Sequence, residues 1–192
     1  ERAAALGYRI RLVGEARLDG DRLLQRVHPV LVPLDHPLAK VTGSLNAVVA
    51  DGDFVGRLTF EGAGAGAGPT ASAVVADLID IARGEAVHAF GVPVDSQIKM
   101  QPGDHEQGIG RSYIRAAVAD QPGVMADITA ILRDCGVSIE SLIQRGDGSD
   151  GGDVFIAIIT HETQLHRTAQ AVEKIAALGS VIQPPMRMDL LN

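Results

Sequence analysis

Gly62-Ala-Gly-Ala-Gly-Ala-Gly68 alternates glycine with alanine directly ahead of Pro69-Thr70 and an apolar-periodic stretch. A strand, then glycines, then a helix start lets backbone N–H groups approach phosphate oxygens, because glycine removes the Cβ and the helix end supplies unpaired donors. Gly62-x-Gly64-x-x-Ala67 fits a loose form of the dinucleotide fingerprint. No parallel strand with an acidic end follows at βαβ spacing, however, and no lysine completes a phosphate loop. The spacing leaves a flexible structural loop and a ligand-facing loop both open. A second candidate is Asp120-Gln121-Pro122-Gly123, which leads straight into an apolar-periodic helix. Proline and glycine there expose first-turn N–H groups, which with the helix dipole can hold the carboxylate of a free amino acid, while Asp120 accepts its ammonium. An ordinary β–α turn with a capping Asp is the plainer alternative.

Other chemistry-bearing residues point nowhere. His161-Glu162-x-x-x-His166 is one residue too long for the His-Glu-x-x-His zinc motif, so the imidazoles do not share the required helical face. His28, His36, His88 and His105 are scattered, with no cysteine or paired carboxylate at ligand spacing, and no metal site is expected. Cys135 is the only cysteine, which excludes an internal disulfide and fits a reducing, cytoplasmic home. It falls on the apolar face of its helix, as a packing residue does. Asp51, Asp53, Asp147, Asp150 and Asp153 sit in glycine-rich turns and read as solvated loop acids.

The elements that position these residues follow from periodicity. Tyr8–Val13 alternates as a half-buried strand, and Leu23–Val32 is extended, with Pro29 and Pro33 marking an edge or end. Asn46–Ala50 and Phe54–Glu61 flank Asp51-Gly52-Asp53 as a hairpin, and these four runs suggest part of one sheet. Pro69-Thr70 opens a helix to about Arg83, with Ala71, Val74, Leu78 and Ile81 on one face and Gly84 closing it. Residues 84–110 have few apolar positions, and Gln101-Pro-Gly-Asp-His-Glu-Gln-Gly reads as a linker. Then come strand Ser112–Ala119, helix Val124–Cys135, strands Ser138–Gln144 and Val154–Thr160, helix Thr163–Leu178 and strand Val181–Met188. That βαββαβ order is the ferredoxin-like layout. Val124, Ile128, Ile131, Leu132 and Cys135 form the apolar face of the first helix, and Leu165, Ala169, Val172 and Ile175 or Ala176 that of the second.

Composition bounds the whole. The chain has 192 residues, 46% hydrophobic and 21% charged, which suits one large domain or two small ones rather than disorder. Lys+Arg 17 against Asp+Glu 24 gives a net −7, against a nucleic-acid footprint. The longest apolar stretches fall far short of the roughly 20 residues of a membrane helix, and there is no charged-then-apolar leader. Aromatics are only 3%, so the core must come from Ala, Val, Ile and Leu. The chain begins at Glu1 without an initiator methionine and runs into a strand with no cap, and is expected to be a piece of a longer chain.

Five ordered blocks carry a resemblance: Tyr8-Arg-Ile-Arg-Leu-Val-Gly, Arg26-Val-His-Pro-Val-Leu-Val, His36-Pro-Leu-Ala-Lys-Val-Thr-Gly-Ser-Leu-Asn-Ala-Val, Gly62-Ala-Gly-Ala-Gly and Pro69-Thr-Ala-Ser-Ala-Val-Val-Ala-Asp-Leu. Together they resemble the C-terminal part of the homoserine dehydrogenase catalytic region. The resemblance implies a parent that interconverts L-homoserine and L-aspartate 4-semialdehyde with NADP or NAD, on the route to threonine, methionine and isoleucine. It implies that Gly66 contacts the cofactor, with Gly62 and Gly64 supporting the turn. The family's Rossmann domain, its proton-transferring lysine and its homoserine-holding acids lie upstream of the segment resembling Glu1. Lys40 and Lys99 lack the family's surrounding motif and read as surface lysines. This chain alone is therefore expected to hold no catalytic residue, no bound cofactor and no activity.

Val118-Ala-Asp-Gln-Pro-Gly-Val-Met-Ala-Asp-Ile-Thr-Ala-Ile-Leu, followed by Gly136-Val-Ser-Ile-Glu-Ser-Leu-Ile-Gln, resembles an ACT domain. That resemblance implies pairing into a homodimer or higher oligomer, and an amino-acid effector, threonine above all, held between the loop and the second strand of a neighbour. Asp120, Gln121, Pro122, Gly123, Val124 and Met125 form the loop side, and Ile139, Ser141 and Gln144 the facing strand. Effector-binding members often carry Asn in that strand where this chain has Glu140-Ser141, which favours the rival reading of a structural ACT domain that senses nothing. The whole is expected to be α+β: a partial open sheet with a helix over 1–83, a linker over 84–110, and a ferredoxin-like ACT domain over 111–192.

Overall fold

The computed structural model describes residues 2–85, 91–146 and 153–191. His88, Asp147 and Asp150 lie outside them. In chain order the elements are α1 (Arg2–Ala5), β1 (Tyr8–Asp19), β2 (Arg22–Pro33), α2 (Pro37–Lys40), β3 (Leu45–Gly52), β4 (Gly56–Ala63) and α3 (Ala67–Arg83). Then follow β5 (Gln101–Pro102), β6 (Ile109–Gly110), β7 (Ser112–Ala119), α4 (Val124–Asp134), β8 (Ile139–Gly146), β9 (Asp153–Thr160), β10 (Thr163–Gln164), α5 (Leu165–Ala176) and β11 (Val181–Leu190). The fold is α+β, in two compact units: residues 1–33 with 102–192, and residues 34–101.

In the larger unit the strands run β1-β2-β11-β7-β9-β8. Within it, β11-β7-β9-β8 is the fourth-first-third-second order of a ferredoxin-like βαββαβ sheet, with β7 antiparallel to both β9 and β11. One face of that sheet packs on the helices: Ile114, Ala116, Val118, Ile156 and Ile158 meet Val124, Ile128 and Leu132 of α4 and Ala171 and Ile175 of α5. Cys135 is buried in the same core. The α4 face is the expected one, whereas the α5 face is turned toward Leu165, Thr168, Ala171 and Ile175. Thr168 is tolerated inside because its hydroxyl donates to the Leu165 carbonyl and meets the Ser112 hydroxyl at 3.2 Å.

The β1–β2 hairpin joins this sheet. Tyr8 pairs with Pro33 through to Asp19 with Arg22, across a turn at Gly20-Asp21, and β2 then runs parallel to β11 at Val30–Asp189 and Leu31–Leu190. Held between two strands, Val30, Leu31 and Val32 are buried, the both-faces burial of a central strand. Pro184 and Pro185 of β11 fall where the β7 pairing slips, between Gln183 and Met186, and short of the residues that meet β2. The four early strands thus do not make one sheet: β1–β2 extends the ferredoxin-like sheet, and β3–β4 is a separate ribbon. The stretch expected as a linker tail is also ordered, since Gly103 N–H donates to the Leu23 carbonyl and Leu165 N–H to the Gly108 carbonyl, each at 2.9 Å.

The smaller unit is a two-stranded ribbon and helices. Leu45 pairs with Ala63 through to Gly52 with Gly56, so Phe54, expected in a strand, sits in the turn and is fully exposed. Asp51 and Arg57 form two hydrogen bonds across the ribbon, at 2.8 and 3.2 Å. Buried His36 caps α2, accepting at Nδ1 from the Leu38 N–H. Helix α3 starts at Ala67, three residues before Thr70, because Pro69 fits a first turn that needs no N–H from it. Its apolar stripe is not buried: Val74, Leu78 and Ile81 are 52%, 59% and 72% exposed.

Candidate functional site

Strand β7 delivers its last residue, Ala119, to a tight loop. Gln121 N–H donates back to the Ala119 carbonyl at 3.0 Å, and Gly123 takes φ 95°, ψ −24° as the N-cap of α4. A Cβ on Gly123 would touch nothing within 4 Å, so the requirement for glycine there is conformational rather than steric. The first helical bond is Asp127 N–H to the Gly123 carbonyl at 2.9 Å. Met125 and Ala126 N–H groups therefore have no acceptor within the helix. No side chain caps this terminus, so Asp120 is not the capping residue of the plainer reading, and it is exposed.

The loop borders a hollow of about 240 Å³. Asp120, Gln121 and Gln144 bring polar groups to it, and Val118, Val124, Met125, Val154 and Ile156 give it an apolar wall. Pro122 and Gly123 complete the rim. The loop residues and Gln144 of β8 thus meet within a single chain. Ile139 and Ser141 do not line the hollow: Ile139 packs against the helix-side core, and a register shift at Glu140 separates it from Ser141. Past that shift β8 alternates regularly, so Ser141 shares the face of Ile143, which lines a cleft with Tyr113, Arg115 and Ala157 on the other side of the sheet. Glu140 accepts from Arg111 Nη2 at 2.5 Å, and the same nitrogen lies 3.2 Å from the Tyr8 hydroxyl. Burial disfavours the Arg111 charge, but the Glu140 and Tyr8 hydrogen bonds outweigh it and raise its pKa. Glu140 is therefore linked through Arg111 to Tyr8 of β1, a role that spacing in the sequence does not signal.

The glycine run is divided among three elements. Gly62 lies in β4 opposite Asn46, with open space where a Cβ would go. Gly64 is packed against that same asparagine: a Cβ there would lie 1.5 Å from Asn46 Nδ2. Gly66, at φ 120°, is the N-cap of α3 and has no side-chain cap. All three are exposed, so the uncapped start of this 17-residue helix offers free backbone donors that fit a phosphate-bearing group.

Lys40, Lys99, His161 and His166 are exposed surface residues. Among the described residues no group of histidine, cysteine and acid side chains could hold a metal ion, and no helix is long and apolar enough to cross a membrane.

Residues 1–79 match the family model of homoserine dehydrogenase, and residues 112–179 that of the ACT domain. A homoserine dehydrogenase of Neisseria gonorrhoeae is 43% identical over 99% of this chain and 45% of its own length, and one of Pseudomonas aeruginosa 38% identical over 97% and 44%. The crystal structure of a homoserine dehydrogenase from Thiobacillus denitrificans superposes with a TM-score of 0.86 at 39% identity, covering all of this chain and 44% of that one. The chain spans about 45% of the length of the relatives it matches. With both segments in one order, and nearly every residue matched in these relatives, the chain belongs to the homoserine dehydrogenase family, as a homoserine dehydrogenase segment followed by an ACT domain.

Proposed function

We propose that this chain is the C-terminal part of a homoserine dehydrogenase, the end of its catalytic region followed by an ACT domain that binds an amino-acid effector, threonine first, for feedback inhibition. The hollow between Asp120–Met125 and Gln144 supports this reading most directly. An amino-acid carboxylate suits the uncapped start of α4, with its free Met125 and Ala126 N–H groups and positive dipole end. Asp120 suits the ammonium, and the apolar wall suits a small side chain. The parent reaction is the NADP- or NAD-dependent interconversion of L-homoserine and L-aspartate 4-semialdehyde, in which the nicotinamide would accept the hydride from homoserine or, reduced, return it to the semialdehyde. Gly66 is the glycine that contacts the cofactor, with Gly62 and Gly64 supporting the turn. The catalytic groups belong to the rest of the parent, so the chain by itself is inactive. In family terms its parts are 1–83, a connecting 84–110 and the ACT domain 111–192, in a cytoplasmic homodimer or larger homo-oligomer. Feedback then follows if the effector favours one of two states of the enzyme, lowering activity by its differential affinity.

Calorimetric titration with threonine, methionine, isoleucine and lysine tests the sensor, with heat expected for threonine. No heat for any of the four sinks it for this chain. A structural ACT domain that binds nothing is the second reading, favoured by Glu140, which is committed to Arg111. Turnover with NADPH and aspartate semialdehyde above background would refute the proposed inactivity.

A further inference from the structure

The hairpin β1–β2 meets β11 through two residue pairs, a short ladder for so long a hairpin. Beside it lies a cluster of ionisable side chains that the proposed effector site does not use. Arg26 is its centre: Nε and Nη2 reach Glu15 Oε2 at 2.8 and 2.7 Å, and Nη1 donates to Asp189 Oδ2 at 2.8 Å. His105 Nε2 lies 2.8 Å from the same Asp189 oxygen and also touches Arg26 Nη1. His28 stands on β2 two residues beyond Arg26, with Nε2 3.4 Å from Glu15 Oε2 and its ring 6.2 Å from that of His105. Arg187 of β11 pairs with Glu106 at 2.6 Å, and Arg17 of β1 comes beside Gly108 at the edge of the cluster. Four pieces of chain are joined here: β1, β2, the 105–108 turn and β11.

We propose that Glu15, Arg26, His28, His105 and Asp189 form an acid-released clasp that holds the β1–β2 hairpin to β11, with His28 as the group whose protonation loosens it. The reasoning is electrostatic. Neutral His28 sits with Glu15 and leaves Arg26 as the shared cation between two carboxylates. A proton on His28 adds a second cation on the same face of β2, in a half-buried place where water screens poorly. Burial and the Arg26 charge accordingly lower the pKa of His28, against the opposing pull of Asp189 and Glu15. A histidine whose folded pKa is depressed costs stability as pH falls below its unfolded value of about 6.5 and on through the folded value. Asp189 and Glu15 are also held low, Asp189 by the Arg26 hydrogen bond and by the His105 and Arg187 charges, and Glu15 chiefly by Arg26, each against its own burial. These two stay ionised while His28 titrates. Physically, the clasp makes the coupling between the hairpin and the last strand of the ACT-bearing sheet dependent on proton concentration. It holds whether or not the ACT domain binds an effector.

Hydrogen exchange of the full chain at about pH 7.5 and about pH 5.5, corrected for intrinsic exchange, tests this directly. Amides of residues 27–32 should lose protection relative to those of β7 and β9 at the lower pH, and His28→Gln should abolish the difference while keeping protection at neutral pH. An equal ratio at both pH values, or a response that survives in His28→Gln, overturns the proposal. A titration of the His28 ring signals against the Leu31 amide needs no variant. A shared midpoint is expected, and separate midpoints overturn the clasp.

Discussion

Gly123 holds a left-handed φ with nothing near its Cβ position, so a substitution there tests backbone shape alone. Gly123→Val should cost about 1–2 kcal/mol for the left-handed conformation and distort the rim of the hollow. Calorimetry should show threonine affinity falling about tenfold, the equivalent of about 1.4 kcal/mol. An unchanged affinity moves the site elsewhere. Gly64 is the opposite case, constrained by contact: Gly64→Ala collides with Asn46, and Asn46→Ala in the same chain should restore the ribbon. Circular dichroism melts of the single and double variants will show whether the second change recovers the first. The Asp120–Gly123 loop could be read from the sequence because its proline and glycine announce both the turn and the exposed donors. Ser141 lies three residues from Gln144, so plain alternation already sets the two on opposite faces, whereas the bulge that parts Ile139 from Ser141 left no mark in the sequence. The meeting of His105 with Asp189 was hidden as well, 84 positions apart and without a motif.

At the scale of elements, the βαββαβ order is legible because each strand and helix carries its own period, and the buried α4 face follows from its spacing for the same reason. The buried α5 face lies one step round from the one its spacing predicts, since Thr168 counts as polar in a pattern yet is buried with its hydroxyl making two contacts. The attachment of β2 to β11 left no trace in the sequence, because two residue pairs impose no pattern on either strand. That junction has a chemical signature instead. Asp189 and Glu15 titrate lower folded than unfolded, so their contribution is present at neutral pH and is lost as pH falls through the ordinary carboxylate range and on through their lowered values. Urea midpoints at neutral pH and at about pH 3.5 should differ, and Asp189→Asn should shrink that difference. A difference of the same size in Asp189→Asn would assign the acid sensitivity to other carboxylates.

On the scale of the whole molecule, the two units differ in what they bury. The helix-covered sheet has a continuous core, whereas α3 has no buried residue and the ribbon exposes Val48, Phe54 and Phe60. Faces of this kind are what the remainder of a longer parent would cover. Hydrogen exchange should therefore run faster in β3, β4 and α3 than in β2, β7 and β9 of this chain, and comparable protection in both sets would contradict the contrast. The division expected from the sequence grouped the hairpin with the ribbon. Packing groups it with the ferredoxin-like sheet, because β11 is shared.

That shared strand bears on how the ACT domain can be moved between proteins. Trimming at residue 111 to graft the ACT domain onto another enzyme strips β2 from β11 and lays bare the small cluster of Leu190, Tyr113 and Ile159 that Leu31 helps to seal. Such a graft should scatter light as aggregates unless residues 8–33 travel with it, so the transplantable module is one sheet gathered from two distant stretches of chain.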